Sequence, residues 1–274
     1  MYLNQAYNNV AAVGNFPQIM QRFRQRSAET YASHAWQRDV AYGNAMRERF
    51  DWFAQADAGA PTLLFIHGGY WQASDKDDYA FIGEGLIEAG FNVGLLEYTL
   101  APEASMGTIV GQIGKALDYL LAHREALNIG QQVALCGHSA GGHLTALYRR
   151  HPLVTLAMPI SGLMELEPIS RCWLNDKLQL SEEEICRFSP QRLIGDGAPL
   201  LVTVGGDELP ELIRHSREYA SACREAGQVV HHVELAGCHH FAVLDDLARV
   251  DGEHMRALSK LLPPHSLRER ACSR

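Results

Sequence analysis

The chain has 274 residues, 47% hydrophobic and 20% charged, which is enough apolar material to bury a core in one large domain or two small ones. Its formal net charge of −8 argues against a nucleic-acid partner, which needs a basic face, and against docking on an anionic membrane surface. Six cysteines (Cys136, Cys172, Cys186, Cys223, Cys238 and Cys272) are scattered without a C-x-x-C pair and read as free thiols. Thirteen histidines show no H-E-x-x-H or other ligand spacing, so neither a metal nor a cofactor is expected.

Residues 1–13 are polar and lack a basic start followed by an apolar run, unlike a signal peptide. No stretch approaches the roughly 18 apolar residues of a membrane helix, so the expected location is the cytoplasm. A helix is expected over residues 17–32, and two alternating strands over 38–42 and 46–53. Residues 57–61 form a turn, and the apolar run 62–66, which ends in His67-Gly-Gly, reads as a buried strand. A regular rhythm follows: helix 79–89 stopped by Gly90, strand 92–97, helix 108–123, strand 132–136, helix 142–150 and strand 154–159. After a break come strand 199–204, helix 211–226, strand 229–235 and a last helix 242–262. Strands alternating with helices of this length imply an α/β fold, a mostly parallel sheet covered on both faces. No linker divides the chain, so 1–274 reads as one domain. About 163–196 reads as a small helical cap insertion over the C-terminal edge of the sheet, where such folds bind ligands. The charged tail from Pro263 is expected to fray.

Gly137-His138-Ser139-Ala140-Gly141 matches G-x-S-x-G and lies between an apolar strand and a helix. That context gives the motif mechanical meaning: a tight, strained turn lifts the serine hydroxyl clear of the sheet and points unpaired helix N–H groups at it. Ser139 is therefore the candidate nucleophile. His67-Gly68-Gly69-Tyr70-Trp71 follows an earlier strand, and its glycines let backbone approach a substrate. The N–H groups of Gly69 and Tyr70, with that of Ala140, are the candidate oxyanion donors. Val202-Thr-Val-Gly-Gly-Asp207-Glu208 places an acid just past a strand; Asp207, first after the turn, is preferred and Glu208 is the alternative. His239 and His240 follow the next strand, and the chain order serine, acid, histidine is the one an α/β-hydrolase uses. Trp71, Trp173 and Phe241 are candidate pocket aromatics, with ordinary core packing as the alternative.

The runs 67–72 and 136–144, with 74–81 and Glu97-Tyr-Thr-Leu-Ala-Pro102, resemble the kynurenine formamidase (arylformamidase) family of α/β-hydrolases. The likeness covers roughly residues 60–245 and is most specific at H-G-G-x-W. It implies hydrolysis of N-formyl-kynurenine to kynurenine and formate, without a cofactor. It also implies an oxyanion hole at Gly69 and Tyr70, and a triad of Ser139, Asp207 and His240, because similar enzymes carry the histidine just before the Phe. The second reading is a carboxylesterase for short-acyl or aryl esters, and a third is a non-catalytic binding protein on the same fold. The expected partner is a small molecule, and the sequence leaves a homodimer open.

Overall fold

The computed structural model describes residues 2–262; the charged tail from Pro263, with Cys272, lies outside the described residues. Among the described residues there are eight strands: β1 (Gln37–Ala41), β2 (Arg49–Phe53), β3 (Thr62–Ile66), β4 (Asn92–Leu96), β5 (Val133–His138), β6 (Leu156–Ile160), β7 (Leu200–Gly205) and β8 (Val230–Leu235). They form one sheet in the order β1-β2-β4-β3-β5-β6-β7-β8. The first two strands pair antiparallel, β2 joins β4 antiparallel, and all later pairings are parallel.

The period of two explains the central strands. Leu64 and Ile66 of β3 and Val133 and Leu135 of β5 enter the core on one face. Leu63, Phe65, Ala134 and Cys136 enter the core on the other. All five residues of β3 are buried, which is why it reads as a continuous apolar run. Burying each large apolar side chain contributes about 1.5–3 kcal/mol.

Before the sheet come α1 (Tyr2–Ala6), α2 (Asn9–Ala12) and α3 (Phe16–Ser33). The first two were not expected. They are too short to stand alone and are held by tertiary hydrogen bonds described below. The helix expected over 79–89 is a 3-10 turn, Lys76–Ile82, running into α4 (Gly83–Glu88), and Gly90 follows with φ +86°. Next come α5 (Met106–Ala122), capped by the Ser105 hydroxyl at the N–H of Thr108, and α6 (Ala140–Leu147). Between β6 and β7 lie α7 (Glu167–Ser170), α8 (Asn175–Leu178) and α9 (Glu182–Phe188), the last opened by a Ser181–Glu184 capping box. α10 (Pro210–Glu225) follows β7.

The helix expected over 242–262 is two helices, α11 (Ala242–Leu247) and α12 (Glu253–Leu261). Asp246 causes the break: its carboxylate accepts the N–H groups of Glu253 and His254, both at 2.9 Å, and so caps a new helix. α5, α6 and α10 contribute to one face's core, and α3, α11 and α12 to the other's. Among the described residues no helix is long and apolar enough to cross a membrane.

Candidate active site

β5 ends at His138 and α6 begins at Ala140, so Ser139 alone makes the turn, with φ +57° and ψ −116°. A side chain in that region costs about 1–3 kcal/mol and persists only where its surroundings enforce it. The enforcement is visible: the N–H of Ser139 donates to the carbonyl of Ile160 at 2.8 Å, and its carbonyl accepts from His143 at 3.1 Å. α6 also lies hard against the end of β3. A Cβ on Gly141 would sit 2.0 Å from the carbonyl oxygen of Ile66, so only glycine permits this approach.

The histidine and its acid come from the loops after β8 and β7. His240 Nδ1 lies 2.6 Å from Oε2 of Glu208, and both side chains are almost wholly buried. The preferred acid, Asp207, is corrected here. It sits exposed at the tip of the turn, where its N–H donates to the carbonyl of Cys238 at 3.1 Å. The next residue turns back under the strand end, and Glu208 reaches the ring. The other carboxylate oxygen of Glu208 accepts the N–H of Gly205 at 2.8 Å and the hydroxyl of Ser161. Three donors therefore fix the carboxylate. With Nδ1–H bound to Glu208, Nε2 of His240 is left as the acceptor.

The neighbouring histidines have other work. Nδ1 of His239 accepts the N–H groups of Phe241 and Ala242, both at 3.2 Å, at the start of α11. His138 Nε2 donates to the carbonyl of His240 at 2.8 Å, and the two rings lie 4.4 Å apart. Burial first, and then the His240 ring, hold the pKa of His138 well below the usual histidine range, so it is neutral and supports the backbone of His240. His143 Nε2 donates to the carbonyl of Phe188 at 2.6 Å.

The loop after β3 carries positive φ at Gly69 (+103°), Tyr70 (+56°) and Trp71 (+59°). A Cβ on Gly69 would meet the carbonyl oxygen of Ala73 at 2.2 Å. Among the described residues no acceptor engages the N–H groups of Gly69 and Tyr70. Ala140 opens α6, where an N–H has no partner four residues back. The loop is anchored through His67, stacked on Tyr98 at 4.5 Å with Nε2 2.9 Å from Glu97. Glu97 also accepts Arg47 Nη2 at 2.7 Å and the N–H groups of Tyr98 and Lys76 at 2.8 and 2.9 Å. Burial would raise the Glu97 pKa, but His67 and Arg47 outweigh it and hold it down at about 2.

Ser139, His240, Gly69 and Tyr70 line one cavity of about 290 Å³. Its walls include Trp173 and Phe241. Trp71 is corrected: it is fully buried, edge-on to His143 at 5.0 Å, and does not line the cavity. The positive φ values at Tyr70 and Trp71 turn it into the core while Tyr70 faces the cavity.

Sequence reasoning missed the contribution of the N-terminal segment. Val10, Phe16 and Met20 form part of the wall. Tyr70 holds this segment: its hydroxyl donates to the carbonyl of Tyr7 at 2.7 Å and accepts the N–H of Asn9 at 2.9 Å. Asn4 accepts the N–H of Trp173 at 2.9 Å. Polar Asn4 and Asn9 flanking Tyr7 carried no periodic signal that would have placed them there.

A mostly parallel sheet with a serine on a strand–helix elbow, and a carboxylate-bound histidine from the last two strand ends on the same cavity, defines an α/β-hydrolase. Comparison with known proteins narrows this. Residues 52–151 match the BD-FAE family model. The chain is 30% identical to the kynurenine formamidase of Danio rerio over 240 residues, covering 82% of this chain and 80% of that one. It is 26% identical to that of Drosophila melanogaster, covering 74% and 73%. A solved Silicibacter chain described as a thioesterase superposes with a TM-score of 0.85 at 27% identity, covering 94% of this chain and 99% of that one. The chain belongs to the kynurenine formamidase family and is a hydrolase.

Proposed function

We propose that this enzyme is an arylformamidase that hydrolyses N-formyl-kynurenine, a small molecule of the cytoplasm, to kynurenine and formate, with Ser139 as nucleophile, His240 as general base and Glu208 as its acid partner. The observation that carries the reading is His240, bound through Nδ1 to the buried Glu208, on the same cavity as the strained Ser139. Ser139 Oγ attacks the formyl carbon while His240 Nε2 takes its proton. The oxygen that gains charge is received by the N–H groups of Gly69, Tyr70 and Ala140. His240 then protonates the departing aryl nitrogen as the C–N bond breaks, leaving a formyl ester on Ser139. Water, deprotonated by the same ring, cleaves that ester, and formate departs. Glu208 stays ionised and keeps the ring in the tautomer that presents Nε2 to Ser139.

The thioesterase description of the Silicibacter relative favours a second reading on the same machinery, a carboxylesterase for short-acyl or aryl esters. The test is kcat/KM for N-formyl-kynurenine beside p-nitrophenyl acetate, because relative transition-state binding decides specificity. A strong preference for the formamide supports the first reading. Brisk ester turnover without formate release from the formamide removes it in favour of the second.

A further inference from the structure

The cavity carries a charge that the catalytic reading does not use. Of the described residues that line it, Lys177 is the one with a fixed charge, and no carboxylate is among them. This stands out in a chain of net charge −8. Lys177 lies exposed on α8 and has no acid or hydrogen-bond partner among the described residues. Asp176 is adjacent in sequence, but side chains one residue apart on a helix do not face each other. The Glu208 carboxylate does not line the cavity either, being engaged by His240, Gly205 and Ser161.

The helix that bears this cation is held in place relative to the reacting groups. The side chain of Gln72, in the loop that bears the oxyanion donors, donates to the carbonyl of Leu174 at 2.8 Å, one helical turn before Lys177. Trp173 beside it is tied to Asn4 and packs edge-on against Tyr70 at 5.6 Å. The flexible stem of Lys177 can therefore lie along the cavity rim while its ammonium stays in water at the mouth. Aromatic walls from Tyr70, Trp173 and Phe241, with a lone cation at the rim, match a flat ring that bears an anionic group away from the scissile bond.

We propose that Lys177 is a substrate-binding residue that selects aryl substrates carrying a carboxylate on the leaving-group side. This rests on the reading that the cavity binds the acyl substrate, and it names a feature of that substrate which the hydrolytic machinery does not require. The ammonium pairs with the carboxylate at the partly hydrated rim, where such a pair changes binding by up to about fivefold and is screened by salt.

Two substrate pairs test it: N-formyl-kynurenine with its α-carboxamide, and 4-acetoxybenzoate with 4-acetoxybenzamide. The readout is the ratio of kcat/KM for acid over amide, so differences in intrinsic reactivity cancel between variants. Lys177→Gln should lower that ratio about fivefold, through KM, Lys177→Glu should lower it more than tenfold, and Lys177→Arg should keep it within about twofold. In the unsubstituted enzyme the ratio should fall as ionic strength rises from about 0.01 to about 0.3 M, while Lys177→Gln should show a flat profile. Equal ratios in the unsubstituted enzyme and Lys177→Gln, with no salt dependence, would overturn the proposal even if the formamide is cleaved. A salt-sensitive ratio on the ester pair, with no formate released from either formamide, would keep charge selection and remove the arylformamidase reading.

Discussion

Replacing Glu208 by Gln tests the site where two adjacent acids compete for one role. The amide oxygen of the variant can still accept from Gly205 and Ser161, so the local fold has its donors satisfied. Its NH2 group, however, faces Nδ1 of His240 across the 2.6 Å contact. The ring must then turn a lone pair to Nδ1 and put its proton on Nε2, which cannot accept the proton of Ser139. The loss of the buried carboxylate also removes the charge that stabilises the imidazolium. Wrong-tautomer variants of this kind cost about 10³–10⁴ in kcat, or about 4–5.5 kcal/mol of transition-state stabilisation. Asp207→Asn alters an exposed side chain and should change kcat less than about twofold. The assay is kcat and KM for both variants on one aryl ester and on N-formyl-kynurenine, with thermal unfolding to confirm that each is folded. Equal losses in the two variants, or Glu208→Gln within tenfold of the parent, would refute the assignment.

Gly141→Ala should destabilise the protein by at least about 2 kcal/mol in denaturant unfolding, because its methyl would sit 2.0 Å from the carbonyl oxygen of Ile66 and the backbone must shift. Glu97 is held at about 2 when folded and returns to the ordinary range near 4.3 when unfolded. Its contribution is therefore fully present above about pH 5 and is lost as pH falls towards 2, on the order of a few kcal/mol. Stability measured from pH 7 to pH 3 should fall less steeply in Glu97→Gln than in the parent; parallel slopes would contradict this. Tyr70→Phe keeps the backbone N–H assigned to the oxyanion but removes the hydroxyl that binds Tyr7 and Asn9. It should raise KM more than it lowers kcat, and it should speed amide exchange in residues 4–12 when followed by hydrogen–deuterium exchange.

How far the sequence could be read depended on whether a local rule or a tertiary contact decided each feature. β3 was legible to the residue because Thr62 and four consecutive apolar residues lie between Pro61 and His67-Gly-Gly. Ser139 was legible because its motif specifies the backbone that surrounds it. The choice between Asp207 and Glu208 was not, since it depends on how the turn after Gly205 rotates, and one residue reverses the side chain from solvent to the ring. Trp71 was misplaced for the same reason, its φ of +59° being invisible to an alternation pattern. α1 and α2 gave no periodic signal because Tyr70, Trp173 and α10 hold them in place. Tyr7, for example, lies within 3.0 Å of His215 and 3.1 Å of Glu211. The split of the last helix came from Asp246, in the last turn of α11, whose carboxylate caps the start of α12.

The most direct test of the account is stoichiometric labelling with an organophosphate, located by peptide mass spectrometry and followed by formate release from N-formyl-kynurenine. The account predicts one adduct, on Ser139, with formate release lost in proportion to labelling, and labelling slowed in Glu208→Gln. An adduct at another residue, or formate release that survives complete labelling of Ser139, would contradict it.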